Sequence, residues 1–200
     1  MLFVSHNMAS VKSLCNRGVV LKDGQEDYIG NTENAVDHYL QAYNTESSGK
    51  IIDNIQWKKH NITISKIVLN GTEDSHSTIT SSQHSLDVCI EGHTDEDIET
   101  DLMLILKNKD EVPMAALAEG NTKGILVHID GGSFRLERTI QLPKFMGCGD
   151  YKVDIYMHHP MVEFQLKATN CATIHIDGYQ EGFGRSLRQN EEGFVGLQSI

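Results

Sequence analysis

The sequence predicts a mainly β protein: an antiparallel β-sandwich preceded by a short α/β segment. Three observations carry this. From Trp57 onward apolar residues recur with period two, in about eight runs separated by turn residues. No long helical pattern interrupts those runs. Before residue 44 the pattern instead mixes short apolar runs with helical spacing.

The first segment reads as follows. Leu2, Phe3 and Val4 form a short apolar run, as in a buried strand, and Ser5 or Asn7 can cap a helix after it. Val11, Leu14 and Cys15 continue at helical spacing, and Gly18 is a plausible stop. Val19-Val20-Leu21 is a strand, Asp23-Gly24 a hairpin turn and Tyr28-Ile29 the return strand. Asn31 or Thr32 then caps a second helix with Ala35, Val36, Tyr39, Leu40 and Tyr43 on its apolar face. Residues 45–56 are polar and without period, which predicts a linker. The domain division expected is therefore 1–44, linker 45–56, and 57–200.

In the third part, Ile62 and Ile64 lie on one phase and Ile67 and Leu69 on the other, so a bulge is expected at Ser65-Lys66. Leu86/Val88/Ile90, Leu102/Leu104/Leu106, Val153/Ile155/Met157 and Ile174/Ile176 mark further inward faces. Tyr151 falls on the inward phase and reads as a core or corner tyrosine. Two antiparallel sheets, each burying one face, satisfy this pattern in an immunoglobulin-like way. Met103 and Ile105 are apolar on the outward phase, which calls for a covering segment or a partner subunit.

Composition narrows the function. A net charge of -11 disfavours nucleic acid and anionic lipid as ligands, since both need a basic surface. The four cysteines show no C-x-x-C pair, so neither a zinc site nor a redox motif is expected. His158 and His159 are neighbours on a strand and point to opposite faces, so they do not chelate together, and no metal is expected. No stretch approaches the ~20 apolar residues of a membrane span. Asp150, Asp154, Glu163 and Asp177 show no spacing that marks a hydrolytic carboxylate pair.

Phe3-Val4-Ser5-His6-Asn7-Met8, with Val11, Leu14-Cys15 and Arg17 after it and then Leu21-Lys22-Asp23-Gly24, resembles the switch-histidine region of ABC ATPases. The resemblance implies that His6 stands where that family contacts the γ-phosphate and the attacking water. The chain holds no G-x-x-x-x-G-K-[ST] loop, no apolar strand ending in Asp-Glu before His6 and no ABC signature. His6 is therefore expected to be catalytically idle here. This chain is expected to be no enzyme and to need no cofactor, with ATP and magnesium belonging to a full-length parent. Ile140-Gln141-Leu142-Pro143, then Gly147-Cys148-Gly149-Asp150-Tyr151-Lys152-Val153-Asp154-Ile155, resembles the β-sandwich that follows the ATPase in polysaccharide exporters of the O-antigen (Wzt) type.

That second resemblance implies a glycan-recognition module. The candidate sugar contacts are the outward polar residues Asp154, Tyr156 and His158 on one strand, His175 and Asp177 on another and Arg135 on a third. The implied partners are a polysaccharide, a membrane permease and a second copy, joined by strand exchange of residues 193–198. The implied place is the cytoplasmic side of a bacterial inner membrane. The competing expectation is a dimerisation domain that binds no sugar.

Overall fold

The computed structural model describes residues 2–4, 8–22, 24–43, 49–80, 82–178, 186–188 and 193–195; among 9 and 40–43 only the backbone is described. The chain divides into two compact units, Met1–Glu46 with Asn108–Val112, and Ser47–Lys107 with Pro113–Ile200.

In the smaller unit, helix α1 (Met8–Leu14) is followed by strands β1 (Arg17–Lys22) and β2 (Gln25–Asn31), paired antiparallel, and by helix α2 (Thr32–Tyr43). Gly24 takes φ 78°, as the expected hairpin requires, while Asp23 lies outside the described residues. The Asn31 side chain accepts the Asn34 amide at 2.8 Å and so caps α2. Ala35 and Val36 are buried, and Met8, Val11 and Tyr39 pack around Val36. Val19, Leu21 and Ile29 share the other hairpin face and stay about half exposed or more.

The larger unit is a two-sheet sandwich. One sheet has the order β10-β6-β4, formed by β4 (Ile62–Leu69), β6 (Ser85–Thr94) and β10 (Gly132–Gln141). The other runs β3-β12-β11-β7-β8, from β3 (Trp57–Lys58), β7 (Ile98–Lys107), β8 (Pro113–Leu117), β11 (Gly149–His159) and β12 (Glu163–Ile176). Short strands β5 (His76–Ile79) and β9 (Val127–Ile129) extend it beside β12 and β7. Among the described strands every pairing is antiparallel except β5 with β12. A short helix α3 (Glu119–Lys123) follows β8.

Alternation builds the core. Ile64, Leu86, Val88, Ile90 and Leu136 from the first sheet meet Leu102, Leu104, Val153, Ile155, Met157 and Ile174 from the second in one buried cluster. The expected bulge is present, with the β4–β6 register shifting between Ile64 and Lys66. Tyr151 is fully buried and its hydroxyl donates to the Gly147 carbonyl at 2.9 Å. Gly92 is demanded by close approach, because a Cβ there would lie 2.3 Å from the Thr63 carbonyl oxygen. The four cysteines are free thiols; burial, first of all, pushes Cys171 up to about 12.

Residues 49–56, expected as linker, instead pack on the sandwich. Ile51 opens a 3-10 turn (Ile51–Asn54), is 0% exposed and donates its amide to the Glu73 carbonyl. Ile52 and Ile55 pack against the same core, and the polar run of residues 44–50 before them hid this apolar anchor. Ile51→Ala is expected to lower stability by about 2–4 kcal/mol in urea denaturation. A true linker residue would change it by less than about 0.5 kcal/mol.

Candidate functional site

The outer face of the larger sheet holds the densest set of chemically useful side chains. Inward phase on β11 belongs to Tyr151, Val153, Ile155 and Met157, so Lys152, Asp154, Tyr156 and His158 face outward. Register extends each into a row, because directly opposed residues point to the same side. Trp57, Lys167, Tyr156 and Met103 form one row across β3, β12, β11 and β7. With strands about 4.8 Å apart, the row spans roughly 14 Å. Phe164, His158 and Asp101 form the next.

Asp154 organises the centre of this face. It is 4% exposed, where a solvent-facing sugar contact was expected. Between Val153 and Ile155 the register of β12 advances from Ala172 to Ala168, so Asp154 alone faces residues 169–171. Asn170 there has φ 48° and donates its amide to Asp154 Oδ1 at 2.7 Å. Lys107 Nζ lies 2.7 Å from the same oxygen, and the Tyr156 hydroxyl donates to Oδ2 at 3.0 Å. Asp154 is thus a buried counter-charge and an anchor, and its oxygens are committed to protein donors.

Tyr156 remains half-buried. Burial, and then the neighbouring Asp154 charge, pushes its phenol above the ordinary value. It stays a neutral donor tied to Asp154, which leaves the ring for contacts. Phe164 leans against it at 5.7 Å between centroids.

His158 corrects a second expectation, being 5% exposed. It stacks under Phe164, and its Nε2 lies 3.5 Å from Asp101, itself buried. Helix α3 accounts for part of this covering. The Gly120 amide donates to Asp101 at 2.8 Å, and a Cβ on Gly120 would meet Asp101 and Pro160 within 2.8 Å. Asn121 of that helix approaches the Met103 sulfur at 3.9 Å, so the outward Met103 is partly covered from within the chain. A depression of about 330 Å³ remains beside it, lined by Met103, Asn121, His158, Met161, Val162 and Phe164 among others. Met161 is fully exposed, with φ 62°, and Val162 is 69% exposed.

The other predicted residues do not converge here. His175 is exposed, with Nδ1 2.6 Å from Asp150 and Nε2 3.6 Å from Asp177. That cluster lies six residues along β11 from Tyr156, about 20 Å away. Arg135 stands on the other sheet between Glu91 and Glu137, in a polar depression of about 500 Å³. His6 and residues 196–198 lie outside the described residues. Residues 193–195 do not reach away: Gly147 donates to the Phe194 carbonyl at 2.8 Å and Met146 bridges Val195. Asp97, His128 and Asp130 bring donor atoms within 4.8 Å of one another on an exposed turn. Those groups are engaged locally, His128 with Glu99 at 2.7 Å and Asp97 with the Gly131 amide at 2.8 Å.

Sequence reasoning missed Trp57, Phe164 and Lys167. The lone tryptophan at a strand start was the available signal. Phe164 and Lys167 precede the bulge, which breaks the alternation that revealed the second half of β12.

No protein-family model matches the chain, and no curated protein does. Among solved structures it is similar to the C-terminal domain of wzt, at 13% identity and TM-score 0.48, over 70% of this chain and 87% of that one. It is also similar to a Niemann-Pick type C2 protein from Japanese carpenter ant, at 11% identity and TM-score 0.43, over 61% and 96%. A third is the cupredoxin domain of amoB from Nitrosocaldus yellowstonii, at 10% and 0.38, over 64% and 95%. At these values the likeness decides neither family nor function; the mainly β, antiparallel sandwich rests on the strand pairings themselves. No helix among the described residues is long and apolar enough to cross a membrane.

Asp154→Ala strands a buried lysine and is expected to cost about 3–5 kcal/mol in urea denaturation. The double variant Lys107→Met/Asp154→Leu is expected to recover part of that loss, as read in a double-mutant cycle.

Proposed function

We propose that this chain is a glycan-recognition module, and that it serves an ABC-type polysaccharide exporter as part of the ATP-binding subunit. The observation that carries the binding half is the row Trp57–Lys167–Tyr156–Met103, which ends beside the depression under Phe164. A sugar ring presents C–H groups on one face and hydroxyls at its edge. An exposed indole and, two strands away, an anchored phenol receive the first, and lysine and amide groups receive the second. A row of this length suits an extended polymer better than a small molecule.

The exporter half rests on the sequence resemblance of residues 3–24 and 140–155. In that role the chain neither binds nor hydrolyses ATP by itself, needs no cofactor or metal and acts on the cytoplasmic side of the membrane with a permease. A homodimer forms when residues 193–198 exchange, repeating with a second copy the contacts that Phe194 and Val195 make with residues 146–147. A pure assembly domain is the second reading, favoured by the exposed Met161 and Val162.

Titration calorimetry against a panel of bacterial polysaccharides tests the proposal. Trp57→Ala and Phe164→Ala are each expected to weaken binding by roughly tenfold, about 1–2 kcal/mol, with the circular dichroism unchanged. His175→Ala, at the far end of the sheet, is expected to leave binding intact. If no polysaccharide binds and Trp57→Ala instead changes the oligomeric state in light scattering, the assembly reading replaces this one.

A further inference from the structure

We infer that the glycan taken by this face is acidic, carrying carboxylate or phosphate groups along the polymer, and that Lys167 reads that charge. This rests on the glycan reading above and names the substrate class for the same site.

Lys167 is the cation within the aromatic row, between Trp57 and Tyr156. Its Nζ sits 3.9 Å from the Phe164 ring centroid, and among the described residues it has no carboxylate partner. The nearby carboxylates are committed elsewhere. Glu163 pairs with Lys59 at 2.8 Å, and Asp154 holds Lys107, Tyr156 and the Asn170 amide. Asp101 is buried and accepts the Gly120 amide. A neutral sugar edge gives a lysine only ordinary hydrogen bonds. A carboxylate or phosphate oxygen gives a shorter, charge-assisted one.

The seat of Lys167 adds a coupling. A cation over an exposed phenyl ring is weakly held and is readily given up to an anionic oxygen. While Lys167 stays on Phe164, it covers a ring face that a sugar could use. An acidic substituent that draws Nζ away uncovers that face, so charge recognition and stacking reinforce each other.

The net charge of -11 works against general electrostatic attachment of an acidic polymer, so recognition has to be local, at Lys167. At physiological salt the repulsion from distant carboxylates is screened beyond about 8 Å, while the contact at Lys167 is not. The acidic remainder of the surface discourages an acidic polymer from adhering elsewhere.

The test uses the full chain on an array of bacterial polysaccharides with uronate-containing, phosphate-containing and neutral members. Calorimetry on the tightest binder follows, before and after carboxyl reduction or dephosphorylation, which separates the two sources of charge. The expected result is binding to acidic members and about a tenfold loss on neutralising the polymer. Lys167→Gln is expected to lose the same factor on the acidic polymer and none on its neutralised form, while Lys167→Arg keeps the preference. Trp57→Ala weakens both forms. If neutral polymers bind as tightly, or Lys167→Gln leaves acidic binding unchanged, the inference is overturned and the glycan reading stands. Binding to no polymer overturns both.

Discussion

One buried carboxylate sets the geometry on which the larger sheet depends. Asp154 takes a lysine, a backbone amide and a phenol on two oxygens, and so closes the irregularity in β12. Removing charge from water is costly unless partners replace the hydration, and here three do. The register change they hold has a long reach. It sets which residues of the first half of β12 oppose β11, and therefore that Lys167 meets Tyr156 and Phe164 meets His158. A polar device inside the sheet thus fixes the arrangement of groups on its surface.

The alternation of apolar residues made the sandwich legible, down to the bulge in β4 and the inward Tyr151. It did so because each of those strands buries one face against a shared core. The same rule misled wherever the other face was also covered. Asp154 and His158 occupy outward positions, yet α3, the Phe164 ring and the bulge exclude water from them. No local pattern announces a five-residue helix or a parallel strand of four residues such as β5. These are settled by segments distant in sequence.

The candidate site was legible only in part. Tyr156 was named, and it is the one predicted residue that stays at the centre of the proposed surface. His175 pairs with Asp150 and Asp177 at the other end, and Arg135 lies on the other sheet. Pattern gives the face a residue points to but not the row it joins, since rows need register and register needs turns and bulges. Trp57 shows the limit well, because its meaning comes only from the strand it meets far along the chain.

That distance has a consequence for how the chain reaches its native state. The outer edge of β12 is closed by two short pieces, β3 and β5, drawn from the start of the larger unit. Gln56 clasps Thr169 from both sides, its amide donating to the carbonyl and its carbonyl accepting the amide, across 113 positions of sequence. Contacts of such separation form slowly, because a long loop must close before they return any free energy. The single tryptophan stands next to that clasp. Its fluorescence is therefore a built-in clock for this long-range closure, with no engineered probe required.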